Sequence, residues 1–223
     1  MQVGILGTGM VGRALAEGFV RTGHDVSIGT RDVHGKMTRG QDGQPAPMVA
    51  WLAASPSVEL ADFASVAAAA DLVVNATNGS GTLPALTSAG AANLAGKVLL
   101  DVSNPLDFSA GFPPTLTVKD TDSLGEQVQR AFPDARVVKS LNTMNAALMT
   151  NPGLLPEPTS VFLSGNDPQA KAVVAGLLGE FGWTDILDLG DITTARGPEM
   201  WLPLWIRVMG AAGGPMFNLR IVR

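Results

Sequence analysis

The chain predicts an α/β fold: a doubly wound, mostly parallel sheet with a small helical extension at its C-terminal end. Three observations carry that expectation. Short, nearly continuous runs of aliphatic residues recur along the 223 residues. Stretches at helical spacing separate them. The first run passes through a glycine-rich turn directly into a helix start. Strands that are each preceded by a helix pair in parallel, and their crossover helices bury both faces of the sheet, so the strands are apolar throughout.

The elements follow in order. Residues 2–6 form the first strand, and a helix begins after Gly12 and closes at Gly23-His24. Residues 25–29 read as the second strand. Residues 37–58 are irregular; 38–47 are rich in Gly, Gln and Pro and read as a surface loop, while 48–54 with Trp51 suit a short helix. A helix over 60–70 leads to a strand at 72–76, and a helix over 82–94 leads to a strand at 98–102. A helix over 123–132 leads to a strand at 136–141. Strands at 160–164 and 185–189, separated by a helix over 168–181, complete the pattern. No linker or repeat is visible, so residues 1–190 are expected to form a nucleotide-binding domain and 191–223 a helical extension that completes its cleft or a dimer contact.

Composition narrows the chemistry. The net charge of −5 and the lack of a long basic run argue against nucleic acid or an anionic membrane surface as partner. With no cysteine there is no disulfide, thiolate nucleophile or thiolate metal site, and two histidines, His24 and His34, are too few for a histidine cluster. No metal site is therefore expected. No run reaches the ~18 apolar residues of a membrane span, and the N-terminal run lacks a basic leader, so the expected location is the cytoplasm.

Gly7-Thr8-Gly9-Met10-Val11-Gly12 is a G-x-G-x-x-G turn between a strand and a helix. Gly7 permits the tight turn, Gly9 lets the backbone approach a pyrophosphate, and Gly12 lets the helix pack against the strand. Exposed N–H groups and the positive end of the helix dipole then meet the phosphate charge, as in a Rossmann NAD(P)-binding fold. The second strand ends in Thr30-Arg31, with Lys36 beyond, where an NAD-preferring site would place a carboxylate. A guanidinium fork, a hydroxyl and an ammonium suit the 2′-phosphate of NADP. Asp32 is the counter-signal, since a small shift of the turn would bring it to the ribose.

In such sheets ligands bind beyond the carboxyl ends of the strands. Three stretches stand there: Asn75 to Gly81, with Asn78 and Gly79; Ser103-Asn104-Pro105-Leu106; and Asn142-Thr143-Met144-Asn145. Their amides and hydroxyls can hydrogen-bond ribose and carboxamide, although turns and helix caps use the same residues. A general acid or base is hard to find. The chain has no tyrosine, no histidine lies beyond residue 34, and Lys139 alone stands near the cleft, as a proton carrier or in a structural ion pair. No catalytic side chain is assigned. The missing residues point to hydride passing between two carriers, with the protein supplying binding, orientation and exclusion of water.

With these loops in place the chain resembles the coenzyme F420-dependent NADP oxidoreductase family. The resemblance rests on the glycine turn, on Gly29-Thr30-Arg31 with Lys36, and on Val138-Lys139-Ser140-Leu141-Asn142-Thr143-Met144-Asn145-Ala146. It also rests on Leu163-Ser164-Gly165-Asn166-Asp167 and on Leu187-Asp188-Leu189-Gly190-Asp191 leading to Ala195-Arg196. It implies reversible hydride transfer between NADPH and a deazaflavin, F420, in a protein often paired into a homodimer. By the same resemblance Thr8, Gly9, Met10 and Val11 hold the pyrophosphate, and Thr30, Arg31 and Lys36 the 2′-phosphate. Asn78 and Gly79 then line the nicotinamide side, and Asn142, Thr143 and Met144 face the ring pair. This chain departs from the archaeal enzymes at Asn142 and Asn145, which leaves a flavin, a quinone or a small carbonyl compound open as acceptor. A non-catalytic NADP-binding sensor is the alternative of another class.

The C-terminal stretch Met200-Trp201-Leu202 to Val208-Met209 is apolar almost all round, which predicts a helix buried on most sides. Arg196 and Glu199 flank Gly197-Pro198 at its mouth, where they can pair with each other or Arg196 can reach an anionic substrate.

Overall fold

The computed structural model describes residues 1–38 and 47–223; of the expected surface loop at 38–47, residues 39–46 lie outside the described residues. The first half comprises β1 (Gln2–Leu6), α1 (Met10–Arg21), β2 (Asp25–Thr30), α2 (Val33–Thr38) and α3 (Pro47–Ala54). It continues through β3 (Val58–Asp62), α4 (Phe63–Ala69), β4 (Leu72–Asn75), α5 (Gly79–Ala89), α6 (Ala91–Leu94) and β5 (Val98–Asp101). A small antiparallel pair, β6 (Leu106–Asp107) and β7 (Thr115–Leu116), precedes α7 (Leu124–Ala131) and β8 (Arg136–Lys139). The rest consists of α8 (Ala146–Thr150), β9 (Ser160–Gly165), α9 (Pro168–Glu180), β10 (Asp185–Asp188), α10 (Arg196–Met200) and α11 (Leu202–Ala211).

The main sheet runs β10-β9-β8-β5-β4-β1-β2-β3. Two separate cores lie on its two faces. One joins α1, α8 and α9 to the sheet through Leu15, Phe19, Leu148, Val174 and Leu177; the other joins α4, α5 and α7 through Phe63, Val66, Leu86 and Val128. This is the doubly wound arrangement that the strand pattern predicts. The interior strands β4 and β5 are buried at every residue, as helices on both faces require. No described helix is long and apolar enough to cross a membrane.

Four features differ from the sequence reading. Residues 58–62 form an edge strand beside β2, so the expected helix over 60–70 begins only at Phe63. Glu59 and Ala61 favour strands poorly, and pairing with β2 overrides that propensity. Asp62 then ends the strand and caps α4, its carboxylate accepting from the Ser65 amide at 2.9 Å. The expected helix over 82–94 starts earlier and breaks at Gly90, whose φ of 90° suits glycine. β9 runs antiparallel to β8, with Val138 opposite Gly165 and Lys139 opposite Ser164. A strand buried on both faces reads equally apolar in either direction, so the sequence does not show this reversal. Finally, α11 is buried along one stripe, Leu202 and Ile206, while Pro203 and Leu204 face solvent; the expectation of a helix buried on most sides is corrected. Beside it Trp205 stacks on Phe217, with centroids 5.3 Å apart.

Candidate functional site

The turn between β1 and α1 is shaped by three glycines with three different reasons. Gly7 has φ 121°, its amide donates to the Gly29 carbonyl at 3.0 Å, and a Cβ there would lie 2.6 Å from the Ala76 carbonyl oxygen. At Gly12 a Cβ would lie 1.9 Å from the Gly7 carbonyl oxygen, so the helix can approach the strand this closely only without a side chain. Gly9 is the opposite case: nothing stands within 4 Å of its missing Cβ. Gly9 is also the N-cap of α1 and has no side chain to satisfy the helix's first N–H groups. The first turn of α1 contains no acidic residue. An open backbone turn at an uncapped positive helix end fits a pyrophosphate.

From this turn a groove extends in both directions as three cavities that share residues. One of about 360 Å³ is lined by Thr8, Arg13, Thr30, Arg31, Lys36 and Met48 among others. The next, about 300 Å³, lies over Gly7, Thr8 and Gly9 and includes Thr30, Arg31, Thr77 and Asn78. The third, about 270 Å³, is bounded by Val11, Asn78, Gly79, Ser80, Asn104 and Phe108 among others. The groove thus has a basic end and an end whose lining holds no Asp, Glu, His, Lys or Arg. Arg31 and Lys36 are exposed at the basic end, and Thr30 is buried beneath them. The Asp32 carboxylate accepts from the Gly35 amide at 2.8 Å, which ties it to the start of α2.

At the neutral end backbone fits closely on backbone. A Cβ on Gly79 would lie 2.3 Å from the Asn104 carbonyl oxygen and 2.9 Å from Cα of Pro105, so α5 starts in contact with the loop after β5. Asn78 caps α5, its Oδ1 accepting from the Gly81 amide at 2.7 Å. Behind this wall Asn104 donates to the Asn142 carbonyl at 2.9 Å, and Asn142 Nδ2 donates to Asn104 Oδ1 at 2.9 Å. Asn142, Thr143 and Met144 are all buried, Met144 within the core beside α1, and none of the three lines the groove cavities. Asn142, through its two bonds to Asn104, buttresses the wall from behind. Leu141 just before them has φ 61°, a left-handed conformation that costs a branched residue about 1–2 kcal/mol and is held there by burial. Asn145 caps α8, with its Oδ1 accepting from the Ala147 amide at 2.7 Å, and donates to the Pro215 carbonyl.

Lys139 is fully buried in an ion cluster. Its Nζ lies 2.8 Å from Asp101 Oδ2, 2.8 Å from Glu199 Oε1 and 2.6 Å from the Ser103 carbonyl. Burial pushes the ammonium pKa down, but the two carboxylates more than offset this and raise it. Held by two carboxylates and a carbonyl, Lys139 stands in the structural ion pair that was one of the two roles open in the sequence. Asp101 also accepts from Asn75 Nδ2 at 2.7 Å, and Asn75 accepts from the Thr77 hydroxyl at 2.7 Å. Through Thr77 the cluster reaches the groove. Glu199 in addition receives the Leu124 and Gly125 amides at 2.8 and 2.9 Å, the start of α7. The expected pairing of Arg196 with Glu199 is corrected. Arg196 forks onto Glu126 at 2.9 and 2.6 Å and holds that carboxyl below its usual range.

Sequence reasoning singled out Gly7, Thr8, Gly9, Val11, Thr30, Arg31, Lys36, Asn78, Gly79 and Asn104, which the groove lining brings together, and also Met10, Gly12, Pro105 and Asn142, which do not line it. It missed Phe108, which is exposed at the neutral end. It also missed the partners of Lys139, which are 38 and 60 positions away in the chain.

Comparison with known proteins agrees with this geometry. Residues 2–105 match the family described as "NADP oxidoreductase coenzyme F420-dependent". A crystal structure from Arthrobacter sp. FB24, provisionally named an F420-dependent NADP reductase, is 57% identical, with a TM-score of 0.96 and full coverage of both chains. Metalloreductase STEAP3 of Rattus norvegicus is 30% identical over 209 residues, 92% of this chain and 38% of that protein. F420-dependent NADP reductase of Methanocaldococcus jannaschii is 28% identical over 116 residues, 51% of each. The chain thus spans about two-fifths and one-half of the lengths of these two curated relatives.

Proposed function

Because the chain belongs to the coenzyme F420-dependent NADP oxidoreductase family, we propose that it moves a hydride between NADP(H) and a second ring carrier, F420. The observation that carries this reading is the groove, basic at one end and free of titrating side chains at the other. The backbone of Gly7, Thr8, Gly9, Met10, Val11 and Gly12 holds the pyrophosphate, where Gly9 leaves the space open. Arg31 and Lys36, with the Thr30 hydroxyl, hold the 2′-phosphate, while Asp32 is turned to the start of α2. Asn78, Gly79, Asn104 and Pro105 shape the nicotinamide end, kept rigid from behind by Asn142. When bound, NADPH supplies the hydride. The protein then needs to hold two rings in contact and keep water away, which requires no proton carrier in the wall. A homodimer is the proposed working unit, as the family resemblance implies.

The test is direct. Protein mixed with NADPH and oxidised F420 is expected to consume both chromophores together, and to fail with NADH or with FMN. Tight NADPH binding, seen by tryptophan quenching, without turnover of F420 would overturn the transfer reading and favour a sensor or another acceptor.

A further inference from the structure

Of the eight phenylalanines, Phe19, Phe63, Phe132 and Phe181 are buried and Phe162 and Phe217 half-buried. Phe108 and Phe112 alone are exposed, at 58% and 72%, and both stand on the connection from β6 to β7. That connection is ordered locally. Asp107 Oδ1 accepts from the Ser109 amide at 2.8 Å, and the Gly111 amide donates to the Phe108 carbonyl at 2.9 Å. The Thr117 amide, just past β7, donates to the Pro105 carbonyl at 2.8 Å and fastens the pair to the loop after β5. The turn therefore presents Phe108 to the neutral cavity, whose other apolar walls are Val11, Ala76, Val102 and Leu106. A large aromatic face left in water beside an apolar cavity with polar edges, at Asn78 and Asn104, is the surface on which a planar conjugated ring stacks.

We propose that Phe108 is a specificity-determining residue whose ring forms the outer wall of the acceptor site and stacks on a tricyclic, flavin-like ring. The inference rests on the transfer reading above for the position of the acceptor. Phe112 does not line the cavity and serves as the control.

Protein saturated with NADP+ is titrated with F420 and, separately, with FMN, following the fluorescence of each ring. Phe108→Ala is expected to raise the dissociation constant of the ring that binds by about threefold to tenfold, the range of an aromatic pair. Phe108→Trp is expected to restore it, and Phe112→Ala to leave it unchanged. The melting temperature is expected to stay at the wild-type value in all three, since Phe108 is exposed, and NADPH affinity to change less than that of the ring, since the proposed phosphate contacts lie at the basic end. The KM for the acceptor should rise with the dissociation constant while kcat changes less. Binding of the ring by Phe108→Ala as tightly as by wild type, or no ring binding by wild type, would overturn the proposal. Two results separate it from the transfer reading. Phe108-dependent binding without turnover sinks the transfer and leaves this wall standing. Turnover of F420 with an unchanged dissociation constant and KM in Phe108→Ala does the reverse.

Discussion

The two ends of the groove are built on different principles. The basic end comes from two successive strand–helix units, and every residue proposed to bind there lies within 30 positions, from Gly7 to Lys36. The groups proposed to bind there are backbone amides and the exposed Arg31 and Lys36 over the buried Thr30. The neutral end draws on the loops after β4 and β5 and on β6, and is buttressed from the loop after β8. Beneath it Asp101, Lys139 and Glu199 come together from across the chain. Phosphate binding needs exposed donors, which a local motif supplies. Positioning two rings needs rigidity, and rigidity here comes from a buried polar network.

Breaking the network should have the largest effect, and on stability before binding. Lys139→Met leaves two buried carboxylates facing each other and is expected to cost about 3–5 kcal/mol in denaturant unfolding. The folded fraction should still bind NADPH; loss of binding in folded protein would show that the two ends are not separable. Arg31→Ala tests the basic end. Removing a charge-assisted contact of about 1.5–3 kcal/mol is expected to raise the NADPH dissociation constant roughly tenfold to a hundredfold, with NADH affinity nearly unchanged. Equal loss for both nucleotides would remove the 2′-phosphate assignment.

Gly9→Ala sharpens the contrast further. The position has open space and an extended backbone (φ −74°, ψ −174°), so the apoprotein should lose less than about 1 kcal/mol. NADPH binding should nevertheless weaken about tenfold, because the methyl enters the space proposed for the pyrophosphate; unaltered binding would place the phosphates elsewhere. The smallest effect lies outside both ends. Arg130 forks onto Asp122 and lowers its carboxyl pKa to about 2. A carboxyl with a depressed folded-state pKa stabilises above its unfolded value, near 4, and loses that contribution as pH falls towards 2. The pair is largely exposed, so less than about 1 kcal/mol is expected. Asp122→Asn should lose stability above pH 4 and little below pH 2 in thermal unfolding; a loss of equal size at pH 2 would mean that the ion pair is not its source.

Local chemistry explains which parts were legible beforehand. Gly7 to Gly12 could be read because each glycine answers a constraint within the same turn. Thr30, Arg31 and Lys36 could be read because the end of the second strand is a fixed distance from that turn. Asn142 and Met144 are buried and stand outside the groove lining, which the sequence does not show, because an amide or thioether after a strand looks the same whether it lines a cleft or packs behind its wall. Arg196 and Glu199 misled because closeness in sequence suggested a pair, while Glu126 and Lys139 were better placed in space.

By itself the sequence determined the strand–helix alternation, the phosphate turn with its basic neighbours, and a chain with no tyrosine, no cysteine and no histidine beyond residue 34. These follow from backbone sterics, side-chain periodicity and composition, which act over a few residues or over none. Only the tertiary structure decided that 58–62 joins the sheet as an edge strand, that β9 turns antiparallel, and that Lys139 is ion-paired with Asp101 and Glu199. Those outcomes depend on which distant groups are buried together, since a buried charge or a strand edge is satisfied by whatever partner the fold brings to it.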